Sequence, residues 1–147
     1  VFKKILFPTS GSPLCGKIAR TICGLIKEKP EREVTILNVL DPRHHIPAQV
    51  DYELDKCGLR PDAEAIKNAE QVLKKAIKVF KENNVPYKVM VRSGEPVCTI
   101  IEVADEMQCD LMVVGHHGES RLSDYLFKGN ITARLINEAD CPVIVIK

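Results

Sequence analysis

Between Gly115 and Asn130 the chain reads GHHGESRLSDYLFKGN, the stretch whose residue types come nearest to chemistry. Gly115 and Gly118, three apart, let backbone approach a ligand and present amide hydrogens without a Cβ in the way. Gly129-Asn130 then opens a helix, whose unpaired N–H groups and positive dipole end suit an anion such as a phosphate. Asn130 is also a good N-cap, and that task alone can occupy its side chain. Glycine spacing leaves two readings open: an anion-binding loop, or a capped connection in which the glycines make turns.

Other candidate groups are sparser. His44-His45 and His116-His117 each follow an expected strand, and with Asp41 they offer donors that suit zinc, copper or nickel. Adjacent histidines do not readily both point inward, so no metal site is assigned; His44 and His45 are expected in solvent and His117 on the polar rim of a ligand mouth. Arg121 and Lys128 can neutralise phosphate, but exposed loop cations are ordinarily solvated. Ser10, Ser12, Ser120 and Ser123 have no evident base and orienting acid, and no Walker lysine motif is present, so no catalytic residue is assigned. The six cysteines (15, 23, 57, 98, 109, 141) show no C-x-x-C and no paired zinc spacing, and are expected as reduced thiols. Cys57 lies in a polar stretch and is the thiol expected at the surface. Cys109 and Cys141 each lie just before an expected strand and can meet at the bottom of a sheet, with free thiols the expectation there too.

The elements that must position these groups follow from hydrophobic periodicity. Strands are expected at Lys4 to Pro8, Val34 to Leu40, Tyr87 to Val91, Asp110 to Val114 and Val143 to Ile146. Between them lie helices over Pro13 to Lys27, with Ser12 as N-cap, and over Pro61 to about Lys81. The second turns Ile66, Ala69, Leu73, Ala76 and Phe80 inward and stops at Asn83-Asn84. A third follows Gly94-Glu95-Pro96, and a fourth spans Asn130 to Ala139. The polar stretch from Asp41 to about Arg60 is long for a connection. The order βαβαβαβαβ implies an α/β fold, a five-stranded parallel sheet with helices on both faces. Ligands bind such sheets beyond the carboxyl ends of the strands, at the switch point of strand order.

At 147 residues the chain suits one domain over 1–147, large enough for a core without disulfide staples. Lys plus Arg number 21 against 20 acidic residues, so no net field recruits nucleic acid or an anionic membrane. No apolar run approaches the roughly 20 residues of a membrane span. The opening Val1 to Pro8 is too short and too soon broken for a signal peptide, which makes the cytoplasm the expected location.

Several segments carry a resemblance: Pro8-Thr9 closing strand one, Asn38-Val39-Leu40-Asp41, Arg92-Ser93-Gly94-Glu95-Pro96, the block from Asp110 to Gly118, and the ending from Cys141 to Ile146. Together, in order and over nearly the whole chain, they resemble the universal stress protein family. That resemblance implies an adenine-nucleotide alpha-hydrolase-like fold and a stress-response regulatory protein that binds ATP or another adenine nucleotide, with Mg, without efficient catalysis. ATP-binding members carry G-x2-G-x9-G-[S/T], an Asp after strand one and a Val ending strand two. Carried over, these positions are Gly115, Gly118, Gly129, Asn130, Ser10 and Val39, joined by Pro8, Thr9, His117, Ile131 and Thr132. Three departures stand out: ten residues separate Gly118 from Gly129, Asn130 replaces the hydroxyl residue, and Ser10 stands where Asp is usual. A neutral hydroxyl in place of a carboxylate forgoes a charge-assisted hydrogen bond of roughly 1.5–3 kcal/mol. These departures favour an alternative, a non-nucleotide dimeric interaction module; a slow nucleotidase ranks last. The family often dimerises through its final strand, here Val143, Ile144, Val145 and Ile146.

Overall fold

The computed structural model describes residues 2–9, 11–40, 63–116 and 131–147, with only the backbone given for 63–65. Five strands form one sheet: β1 (Lys4–Pro8), β2 (Glu33–Leu40), β3 (Tyr87–Ser93), β4 (Leu111–Gly115) and β5 (Val143–Ile146). Their order is β3-β2-β1-β4-β5 and every pairing is parallel. The helices are α1 (Cys15–Glu28), α2 (Ala63–Val72), α3 (Lys74–Glu82), α4 (Pro96–Glu106) and α5 (Ile131–Glu138). Parallel neighbours need long crossovers, and the helices between strands supply them.

The central strands are apolar on both sides because both faces are covered. On one face Ile5, Phe7, Val34, Ile36, Leu111 and Val113 pack with α1 and α3; on the other Leu6, Leu37, Met112 and Val114 pack with α4 and α5. Two polar side chains, Thr35 and Asn38, are buried within β2.

All five strands lie where the sequence pattern puts them, to within two residues at either end. The helices need corrections. The expected single helix through residue 81 divides at Leu73 (φ −87°, ψ 4°) into α2 and α3. Backbone bonds from Leu73 to Ala69 and from Ile77 to Leu73 carry the chain through the break, so it is a kink. Ala69, Leu73, Ala76 and Phe80 are buried as expected, whereas Ile66 is 39% exposed. Helix α1 begins at Cys15 with no side-chain cap, since Ser12 contributes only its carbonyl to the Cys15 N–H at 3.0 Å. Asn83 and left-handed Asn84 (φ 55°) do stop α3. Cys98 is disulfide-bonded, which corrects the reading of six reduced thiols; Cys15, Cys23, Cys109 and Cys141 are not in disulfides. Cys57, His44 and His45 lie outside the described residues.

Candidate functional site

Strand order reverses between β1 and β4. From β1 the chain winds outward through β2 to β3, then returns to place β4 on the other side of β1. The crevice beyond the carboxyl ends of these two strands is the switch point at which such sheets hold ligands.

The β1 side of the crevice is fixed by a polar residue inside an apolar strand. Asn38 is 3% exposed, and its Nδ2 donates to the Thr9 carbonyl at 3.1 Å. The Thr9 N–H in turn donates to the Leu37 carbonyl at 2.9 Å. These two bonds pin the exit of β1 to β2, and the Thr9 hydroxyl accepts the Gly11 N–H at 3.3 Å. Gly11 sits at φ +89°, and a Cβ there would lie 2.6 Å from the Val72 carbonyl oxygen, so the turn rests directly on the end of α2. Pro8 pairs with Leu37, which leaves Val39 and Leu40 projecting beyond the end of β1. Val39 is half-buried and packs on the face shared with α4 and α5.

The β4 side is fixed from the far end of its connection. Thr132, in the first turn of α5, donates its hydroxyl to the Gly115 carbonyl at 2.7 Å. The His116 N–H donates to the Ile146 carbonyl at 2.8 Å. The exit of β4 and the start of α5 therefore stand side by side, and the amino-terminal turn of the helix, the positive end of its dipole, lies next to the crevice. Ile131 is half-buried on the same face as Val39. One further link reaches α5 from β3: Glu95 accepts the Cys98 N–H at 2.7 Å with Oε2, capping α4, and accepts Arg134 Nη1 at 2.9 Å with Oε1.

Of the residues singled out from sequence, Pro8, Thr9, Val39, Gly115, Ile131 and Thr132 gather at this edge of the sheet. Ser10, His117, Gly118, Gly129 and Asn130 lie outside the described residues. Asn38 is the positioning residue that motif reading passed over; its signal was an amide in the run VTILNVL, where a buried polar group needs a partner. The Thr132 hydroxyl, expected to face a ligand, spends its proton on Gly115 and keeps only acceptor capacity. No cluster of three or more His, Cys, Asp or Glu side chains able to hold a metal ion occurs among the described residues. Nor does any described helix have the length and apolarity to cross a membrane.

The universal stress protein family profile matches residues 2–147. A universal stress protein from Methanocaldococcus jannaschii is 32% identical over 149 residues, covering 100% of this chain and 83% of its own. Among solved structures, a universal stress protein in complex with cAMP superposes with a TM-score of 0.70 at 18% identity, over 99% of this chain and 96% of that one. The universal stress protein from Archaeoglobus fulgidus in complex with dAMP gives 0.64 at 19% identity, over 100% and 98%.

Proposed function

The chain belongs to the universal stress protein family, and from that premise we propose that it is a regulatory module that binds an adenine nucleotide in the β1–β4 crevice and does not turn it over efficiently. The observation that carries this reading is the Thr132–Gly115 hydrogen bond, which sets the amide end of α5 against the exit of β4 at the switch point. Phosphate belongs at that helix end, where the dipole favours negative charge. The base belongs across the crevice against Val39, whose half-buried side chain projects past β1. That two proteins of similar fold are complexes with cAMP and dAMP supports the adenine assignment. Mg is the counter-ion proposed for a di- or triphosphate.

Isothermal titration calorimetry with ATP and Mg²⁺, then ADP, AMP and cAMP, tests the proposal. Heat of binding that is lost in Gly118→Val supports it. Silence at millimolar nucleotide, with the protein folded by circular dichroism, sinks it.

A second reading rests on a separate observation. Among the described residues strand β5 pairs with β4 alone, and its four apolar residues are all half-exposed. Bare apolar edges invite pairing with another strand. We propose a homodimer through Val143 to Ile146, which serves an interaction module with or without nucleotide. A monomer by sedimentation at micromolar concentration counts against it.

A further inference from the structure

The amino-terminal ends of the strands, opposite the crevice, bring together two cysteines that neither the fold nor the nucleotide reading uses. Cys109 follows α4; its N–H closes the helix on the Ala104 carbonyl at 2.8 Å, and Gln108 before it is left-handed (φ 52°). Cys141 precedes β5, next to Pro142, whose carbonyl accepts the Met112 N–H at 2.9 Å. Adjacent strand entries thus hold the two residues face to face. Cys109 Sγ lies 3.0 Å from the Leu111 carbonyl, and the two thiols are within hydrogen-bonding reach of each other. Both are free and partly buried. A cavity of about 80 Å³ opens onto them between Ala104, Asp105, Ala139 and Asp140, ample for a molecule of two or three heavy atoms.

We infer that Cys109 and Cys141 are a redox-modifiable dithiol, which a small hydroperoxide entering this cavity converts to a disulfide joining the entries of β4 and β5. Cys141 is the attacking sulfur, because the Cys109 S–H, which donates to the Leu111 carbonyl in the resting pair, is within reach of the Cys141 thiolate once that forms. That thiolate attacks one peroxide oxygen and the O–O bond breaks. The sulfur becomes a sulfenic acid, and the other oxygen leaves as an alcohol or water with a solvent proton. Cys109 then attacks the sulfenic sulfur; the S–S bond forms, the S–O bond breaks, and hydroxide takes the Cys109 proton and leaves as water. The two sulfurs lose two electrons and the hydroperoxide gains them.

The electrostatics set the character of the pair. Burial, before anything else, pushes the Cys109 thiol up to about 12, and the neighbouring Cys141 adds to the rise. Burial also raises Cys141, with the Cys109 hydrogen bond opposing it and the Asp110 and Asp105 carboxylates reinforcing it. Thiolate is scarce at neutral pH, so oxidation is slow. A thiol of raised pKa is also a poor leaving group, so the disulfide once formed is reduced slowly as well. The bond would close residues 109 to 141 into one ring containing β4, α5 and the entire connection between them. This inference does not depend on nucleotide binding.

The test treats the folded protein, without reductant, with millimolar hydrogen peroxide at pH 8. Free thiols are then alkylated and proteolytic peptides mapped by mass spectrometry. The expected result is a peptide pair cross-linked through Cys109 and Cys141, lighter by two hydrogens and resolved by a phosphine, and absent from Cys109→Ser. Recovery of both residues alkylated after exhaustive treatment overturns the inference. So does Cys141 halted at a sulfinic acid with Cys109 alkylated. Because the cross-link is read on the unmutated protein, a variant that folds poorly leaves the outcome unaffected.

Discussion

The hydroxyl of Thr132 and the carbonyl of Gly115 meet at 2.7 Å across 17 residues of sequence. Both ends of the connection after β4 are thereby held at one point, and the helix start is oriented by the strand it follows. Thr132 is only 6% exposed, and its loss leaves the half-buried Gly115 carbonyl without that donor. Thr132→Val should cost about 0.5–1.5 kcal/mol in urea unfolding, and weaken nucleotide binding more than that loss of stability alone explains. Thr132→Ser should restore most of both. Equal behaviour of the Val and Ser variants would show that the hydroxyl is not what matters.

Asn38 makes the matching tie on the other side of the crevice. Asn38→Leu, of similar volume, removes the donor to Thr9 and should destabilise by roughly 1–3 kcal/mol. Asn38→Asp should be worse, because it sets a buried charge against a carbonyl oxygen. Chemical denaturation at pH 7 gives the order, and an Asp variant as stable as wild type would contradict it.

At Gly11 the backbone is left-handed and the space is taken. Gly11→Ala incurs both the positive-φ cost of about 1–3 kcal/mol and a Cβ placed 2.6 Å from the Val72 carbonyl oxygen and 2.8 Å from its Cγ1. A fall in Tm is expected. Adding Val72→Ala should rescue it little, since the nearer atom is backbone. Full rescue by that second change would locate the strain in the side chain.

Cys109 predicts an alkaline limit to stability. Its thiol is held near 12 in the folded protein, mainly by burial, against 9.0 for the ordinary group. Between these values the folded state keeps a proton that the unfolded state has released, so stability falls as pH rises through that window. Below about pH 9 both states are protonated and the effect vanishes. Under a phosphine reductant, the stability difference between wild type and Cys109→Ala should shift against wild type from pH 9 to pH 11. A constant difference would mean that the thiol titrates normally.

How much of this was legible beforehand depended on range. The strands were readable because runs such as Lys4 to Pro8 and Val143 to Ile146 carry their own period and their own stops. Ile66 was misread because helical periodicity says which face is apolar, and only packing decides whether anything covers it. The break at Leu73 has no proline or glycine to announce it. At the site, glycine spacing and strand ends located the crevice, yet the partners of Asn38 and Thr132 lie 29 and 17 residues away and no local pattern encodes them.

Strand β1 lies in the middle of the sheet, and its two neighbours emerge far apart in synthesis. One edge pairs with residues 33–37, while the other waits for β4. The Asp110 carboxylate that clips the Lys3 and Lys4 amides at 2.8 and 2.9 Å comes 107 and 106 residues later. A nascent chain that has made β1 to β3 therefore carries an open apolar edge at what will be its centre. Contacts of such span form slowly and leave the unpaired edge exposed to other chains meanwhile. Translational pauses before β4 lengthen that exposure, and fragments ending short of it should be recovered as aggregates, not as a smaller folded sheet.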